Sequence, residues 1–143
     1  MTETLIVDGY NIIHAIPEIE NKLDKNLMSA RSALEAALRK YQLNEKSIRE
    51  IYIVYDGKGF SGRDIEDMGL VKNIYTSKDS DADNEIVNIL KNMKKLNKTM
   101  VFSRDNFVIN HARAMGADVL SINSFRKKAA GKRVSGRAAE LSE

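Results

Sequence analysis

The sequence predicts an α/β fold with a mostly parallel central sheet of about five strands. Short apolar runs such as Leu5–Val7, Ile51–Tyr55 and Met100–Phe102 alternate with longer segments of helical periodicity. The runs are rich in β-branched and aromatic residues and stop at turn signals, as strands buried on both faces do. No tight Asn-Gly turn joins neighbouring runs, so helical crossovers are the expected connections.

The first strand covers Thr4 to Asp8 and is expected at the sheet centre, because Leu5, Ile6 and Val7 are apolar on both faces. Pro17, the only proline, marks a short turn or helix start. A helix from about Asn26 to Tyr41 follows from Leu27, Ala30, Leu34, Ala37, Leu38 and Tyr41 on one face. The second strand, Ile51–Tyr55, ends in Asp56, and Gly57, Gly59 and Gly62 then read as a flexible loop. The stretch between Gly57 and Gly69 yields no element. Val71–Tyr75 is a third strand nearer an edge. Ser80 or Asp81 caps a helix running through Met93. Met100–Ser103 is the fourth strand, and Gly116 stops a helix over Asn106–Met115. Asp118–Ile122 is the fifth strand. Asn123 or Ser124 caps a final helix into the C-terminal tail.

A chain of 143 residues suits one domain with a sizeable core. It has no cysteine, which excludes disulfides, thiolate metal sites and a cysteine nucleophile. No apolar run approaches the ~20 residues of a membrane span, and the start does not read as a signal peptide, so a cytoplasmic location is expected. Residues 126–143 carry six basic side chains (Arg126, Lys127, Lys128, Lys132, Arg133, Arg137) and two acids, a charge of +4. The whole chain is +3, which leaves −1 for residues 1–125. A near-neutral domain over 1–125 with a basic tail over 126–143 points to an anionic partner such as nucleic acid. A solvated terminus explains the tail about equally well.

Acids recur at strand ends. Asp8 ends the first strand, Asp56 the second, Asp105 follows the fourth, and Asp83 opens the helix after the third. In a parallel sheet these positions share the carboxyl edge, where open α/β folds hold their ligands. Carboxylates gathered there repel one another unless a cation neutralises them. Hard oxygen donors suit Mg²⁺ or Mn²⁺, ions that hold phosphates and activate water in phosphodiester cleavage. Each acid also has a turn or capping role open to it. Asp79 and Asp81 read as capping residues or as supports behind the metal ligands, Asn11 as a partner of Asp8 or of a metal-bound water or as a turn residue, and Ser103 as an orienting residue for Asp105 or a strand end.

Lys58, Arg63 and Arg104 flank the expected edge and could hold phosphates; Arg31 on the first long helix could reach the same region. Tyr10 could stack on a base or pack in the core. His14 and His111 lie in no metal-binding motif. There is no G-x-S-x-G, no G-x-G-x-x-G and no P-loop, so no small-molecule cofactor is expected.

The stretch Leu5-Ile6-Val7-Asp8-Gly9-Tyr10-Asn11-Ile12-Ile13 resembles the opening motif of the NYN nucleases, in particular the YacP-like branch of the PIN-domain superfamily. Ala30–Leu34, Ile53–Gly57, Ser80–Asn84 and Ser103–Asp105 resemble later segments of that branch in the expected order. Asp81 stands where the branch usually has Thr, and Glu85 where it often has an aromatic residue. The resemblance implies a PIN-like three-layer sandwich over residues 1–125 and a divalent-metal-dependent endoribonuclease. By position, Asp8, Asp83 and Asp105 would hold Mg²⁺ or Mn²⁺, with Asp56 and Asn11 completing the site. It further implies RNA as substrate and mRNA on the ribosome as the setting. Arg126, Lys127, Lys128, Lys132 and Arg133, with Lys58, Arg63 and Arg104, are the expected RNA-binding cations. The rival readings are a non-catalytic RNA- or ribosome-binding module and a toxin-like nuclease.

Overall fold

The computed structural model describes residues 1–57, 64–77 and 81–130. Its strands are β1 (Thr4–Asp8), β2 (Glu50–Tyr55), β3 (Asp64–Met68), β4 (Val71–Tyr75), β5 (Thr99–Phe102) and β6 (Asp118–Leu120). Its helices are α1 (Gly9–Ala15), α2 (Pro17–Glu20), α3 (Leu27–Leu43), α4 (Ala82–Lys91), α5 (Asn106–Met115) and α6 (Ile122–Ala129). Among the described residues the strands form one sheet in the order β3-β4-β2-β1-β5-β6.

β1 is buried along its whole length because it is paired on both sides, parallel to β2 and to β5. Its alternation divides the core. Leu5 and Val7 face Ile12, Leu34, Leu38 and Phe125 on one side of the sheet, and Ile6 faces Ile86, Leu90 and Val108 on the other. Helices on both faces therefore make three layers. The chain builds outward from β1 through β2 to β4, then returns to the other side of β1 with β5. That reversal opens a crevice at the carboxyl ends of β1 and β5.

The helices start where the caps allow. The side chains of Asn26, Asp81, Asp105 and Ser121 accept from backbone N–H groups in the first turns of α3, α4, α5 and α6. Gly116, at φ 98°, ends α5 in the left-handed conformation that glycine adopts most easily.

Some of these expectations change. A sixth strand, β3, lies antiparallel to β4 at the sheet edge, joined by Gly69-Leu70 with Gly69 at φ 83°. Ser121 rather than Asn123 or Ser124 caps α6, so Ile122 belongs to the helix. Gly57 is held tightly rather than forming part of a flexible loop. Its N–H donates to Thr76 Oγ1 at 3.0 Å, and a Cβ there would fall 1.7 Å from the Thr76 carbonyl oxygen. Gly59 and Gly62 lie outside the described residues. The expected boundary at 125/126 falls inside α6, so Arg126, Lys127 and Lys128 are helical.

Candidate active site

Four loops meet at the crevice. Asp8, Tyr10, Asn11, Asp56, Asp81, Ala82, Asp83 and Asp105 line a cavity of about 300 Å³ at the carboxyl edge of the sheet. Among the described residues its lining contains no basic side chain.

Asp8 is the innermost of these acids, only 4% exposed. Its Oδ2 accepts a hydrogen bond from Ser103 Oγ at 2.9 Å, and Ser103 Oγ in turn accepts from the Asp105 N–H at 3.0 Å. Ser103 thus ties the end of β5 to the end of β1. Burial raises the Asp8 carboxyl to about 7, against the pull of Ser103; Asp83, Asp105 and Asp56 raise it further. Burial likewise raises Asp83 to about 6, with Asp105 and Asp81 adding repulsion. Hydrogen bonding with Asp105 favours the protonated Asp83 carboxyl as well.

The remaining acids are partly committed to structure. Asp105 Oδ1 accepts from the Phe107 N–H at 2.8 Å and caps α5. Asp81 Oδ1 accepts from the Asn84 N–H at 2.9 Å and caps α4. Asp56 is exposed, and its Oδ1 accepts from the Ala82 N–H at 2.6 Å, fastening the end of β2 to the start of α4. Each keeps a second carboxylate oxygen beyond its backbone contact. Asn11 Oδ1 accepts from the Arg104 N–H at 2.7 Å. Its amide oxygen is thereby committed to the segment that follows β5.

The donor chemistry fits a hard divalent cation: carboxylate oxygens, clustered and mutually repelling, without a neutralising side chain in the cavity wall. Among the described residues, no group of three or more His, Cys, Asp or Glu side chains is arranged to hold a metal ion as it stands. Mg²⁺ keeps several waters and takes only one or two protein carboxylates, so a complete protein cage is not required of such a site.

A family model described as the YacP-like NYN domain matches residues 5–140. The chain belongs to the YacP-like NYN family. This is a nuclease family, typically of ribonucleases, and generally metal-dependent. The chain is also similar to two crystal structures of Rae1 (YacP) from Bacillus subtilis. One, of a point mutant, matches with a TM-score of 0.72 and 21% identity over 90% of this chain and 76% of the other. The second matches with a TM-score of 0.66 and 22% identity over 90% and 74%. The likeness extends to the six-stranded, mostly parallel sheet flanked by helices. No curated protein matches the sequence.

Within this YacP-like domain the expected acids and Asn11 do meet at one edge. The expected RNA-binding cations are more scattered. Arg104 is exposed beside the cavity, on the segment joining β5 to α5. Arg126 pairs with Glu18 at 2.8 Å. Lys128 pairs with Glu45, and its carbonyl accepts from Asn44. That anchors Lys128 near the loop leading into β2, at the opposite edge of the sheet from the acids. Lys127 is exposed on the same helix. Lys58, Arg63, Lys132 and Arg133 lie outside the described residues. His14 pairs with Glu20, and His111 contacts the Phe107 carbonyl. No helix among the described residues is long and apolar enough to cross a membrane.

Tyr10, expected to stack on a base or to pack in the core, packs its ring 4.9 Å from that of Tyr55 and also lines the cavity. Sequence reasoning missed Tyr55 and Tyr75 as a pair. Each ends a strand, which the sequence shows, but only the parallel register of β2 and β4 sets Tyr55 opposite Tyr75.

Proposed function

We propose that the protein is a divalent-metal-dependent endoribonuclease acting in the cytoplasm, with ribosome-bound mRNA as its substrate. The observation that carries this reading is the convergence of Asp8, Asp56, Asp83 and Asp105 on one cavity at the point where the strand order reverses. Membership of a nuclease family supports it. Asp8, Asp83 and Asp105 would hold Mg²⁺ or Mn²⁺, with the free oxygen of Asp56 completing the set. Such an ion supplies Lewis-acid polarisation of a phosphodiester and a more acidic water.

The chain's own residues provide the frame. Ser103 fixes the rotamer of Asp8 and couples it to the backbone of Asp105. Asn11, its amide oxygen held by the Arg104 N–H, would donate its amide N–H groups to a phosphate or ribose oxygen. Burial of Asp8 keeps water from competing for its oxygens. Arg104 offers charge at the rim, and the basic tail (Arg126, Lys127, Lys128, Lys132, Arg133) attracts RNA at longer range, so binding weakens steeply with salt.

The test compares wild type with Asp8→Asn on labelled RNA and on translating ribosomes, with Mn²⁺ or with EDTA. Cleavage in Mn²⁺ should fall by about 10³-fold in the variant and vanish in EDTA. Wild type that cuts under no condition overturns the enzyme and leaves the RNA-binding module. Cleavage untouched by Asp8→Asn overturns the site.

A further inference from the structure

Arg31, on α3, is hydrogen-bonded to Tyr10, and Tyr10 is a residue of the acidic cavity's wall. Its guanidinium carbon lies 5.6, 5.2 and 5.1 Å from the ring centroids of Tyr10, Tyr55 and Tyr75. The Tyr55 and Tyr75 rings are themselves stacked, 5.6 Å apart at 18°. Arg31 Nε donates to Tyr10 Oη at 3.0 Å, and Nη2 donates to the same oxygen. A cation among aromatic faces is held by their quadrupoles without being neutralised.

Among the described residues no carboxylate pairs with Arg31. Glu35 is one helical turn on from Arg31 and within reach by spacing, but it pairs instead with Arg39 at 3.0 Å. Of the five guanidinium N–H groups, two go to Tyr10, and the others meet no acceptor among the described residues. Tyr10 Oη accepts from Arg31, so its own proton is left to donate. Three guanidinium N–H groups without an acceptor among the described residues and one hydroxyl thus sit on two partly exposed residues, of which Tyr10 lines the acidic cavity. The acids repel a phosphate; Arg31 and Tyr10 attract one.

The geometry points to Arg31 and Tyr10 as a binding site for a backbone phosphodiester of single-stranded RNA, next to the linkage that enters the acidic cavity. Arg31 supplies the planar fork that fits two phosphate oxygens. Tyr10 supplies a third hydrogen bond, and Tyr55 and Tyr75 hold the fork in place. The inference rests on reading the acidic cavity as an RNA-processing site, and it adds the strand contact that cavity lacks.

Binding in EDTA separates this site from the chemistry. Fluorescein-labelled single-stranded RNA is titrated with the full chain at several salt concentrations, using wild type, Arg31→Gln, Arg31→Lys and Tyr10→Phe. Arg31→Gln should bind about tenfold more weakly and flatten the log K against log salt slope by about 0.7, the value for one lost single-strand phosphate contact. Arg31→Lys should retain the slope while losing part of the affinity, because an ammonium cannot make the forked contact. Tyr10→Phe should weaken binding about twofold to threefold with the slope unchanged. An unchanged slope in folded Arg31→Gln overturns the proposal, whatever the affinity, because a purely structural arginine would not alter ion release.

If Arg31→Gln fails to fold, the wild-type protein decides. Its Arg31 Nε–H resonance, assigned by its loss in Arg31→Lys, should move on adding RNA in EDTA; a stationary resonance overturns the site. Arg31-dependent binding without cleavage by wild type would support this site and count against the nuclease. Normal metal-dependent cleavage with an unchanged Arg31→Gln slope would do the reverse.

Discussion

Asp8-Gly9 at the end of β1 and Asp56-Gly57 at the end of β2 are the same dipeptide on adjacent parallel strands. Asp8 pairs with Val54, so Asp56 stands two residues further along the same edge. Their surroundings differ. Asp8 lies between β2 and β5, is buried, and takes its hydrogen bond from a side chain, Ser103. Asp56 is exposed and takes its bond from a backbone N–H at the start of α4. Burial with like charges nearby leaves Asp8 short of a cation, whereas a helix N-terminus already satisfies one oxygen of Asp56. One local signature thus serves two ends, and position in the sheet decides which.

The glycines sharpen the contrast, and they carry the largest expected effect. A Cβ on Gly57 would sit 1.7 Å from the Thr76 carbonyl oxygen, a backbone atom that cannot move aside. A Cβ on Gly9 would sit 2.5 Å from two ring atoms of Tyr55 and 3.0 Å from the Val54 oxygen. Gly57→Ala should therefore cost at least about 4 kcal/mol, and Gly9→Ala about 2–3 kcal/mol, in urea unfolding. Equal costs, or a mild Gly57→Ala, would show that the β2 end is looser than its contacts imply.

The β1 end should reveal itself through pH. The Asp8 carboxyl lies at about 7 in the folded chain against a reference of 3.8, so between those values the folded state holds more protons than the unfolded state. Stability of the metal-free protein then falls as pH rises through that window. Asp83, raised to about 6, acts in the same direction. In EDTA, raising the pH from about 4.5 to about 7.5 should cost wild type about 2–4 kcal/mol more than it costs Asp8→Asn. Mn²⁺ should return most of that loss to wild type and little to the variant. Parallel curves for the two proteins would remove the distinction between the strand ends.

This contrast also marks what could be read from the chain. Central strands announce themselves because burial on both faces leaves apolar runs; Leu5–Val7 and Ile51–Val54 are such runs, and their order along the chain implied the edge where the acids meet. β3 could not be read in the same way. It is an edge strand with Ile65 and Met68 about half exposed, and residues 65–68 show no buried face. Its one local clue was Gly69 at the turn. The acids were legible by type and position, but the division of labour between Asp8 and Asp56 was not. That division depends on Ser103 and on the Ala82 N–H, which are distant in sequence and meet the acids only when β5 and α4 dock. The Arg31 cage has the same origin, since it needs the register that sets Tyr55 beside Tyr75.

The smallest effect tests Asp56 itself. Asp56→Ala removes the acceptor for the Ala82 N–H and should cost about 1 kcal/mol, as loss of a helix cap does. Asp56→Asn keeps an oxygen for that N–H and should change stability by less than about 0.5 kcal/mol. If the main work of Asp56 is to fasten α4, Asp56→Asn should also keep cleavage within about tenfold of wild type, far from the loss expected for Asp8→Asn. Its second oxygen would then serve the ion only through water. A loss as deep as that of Asp8→Asn, at unchanged stability, would make Asp56 a direct ligand. The two strand ends would then do the same work despite their different burial.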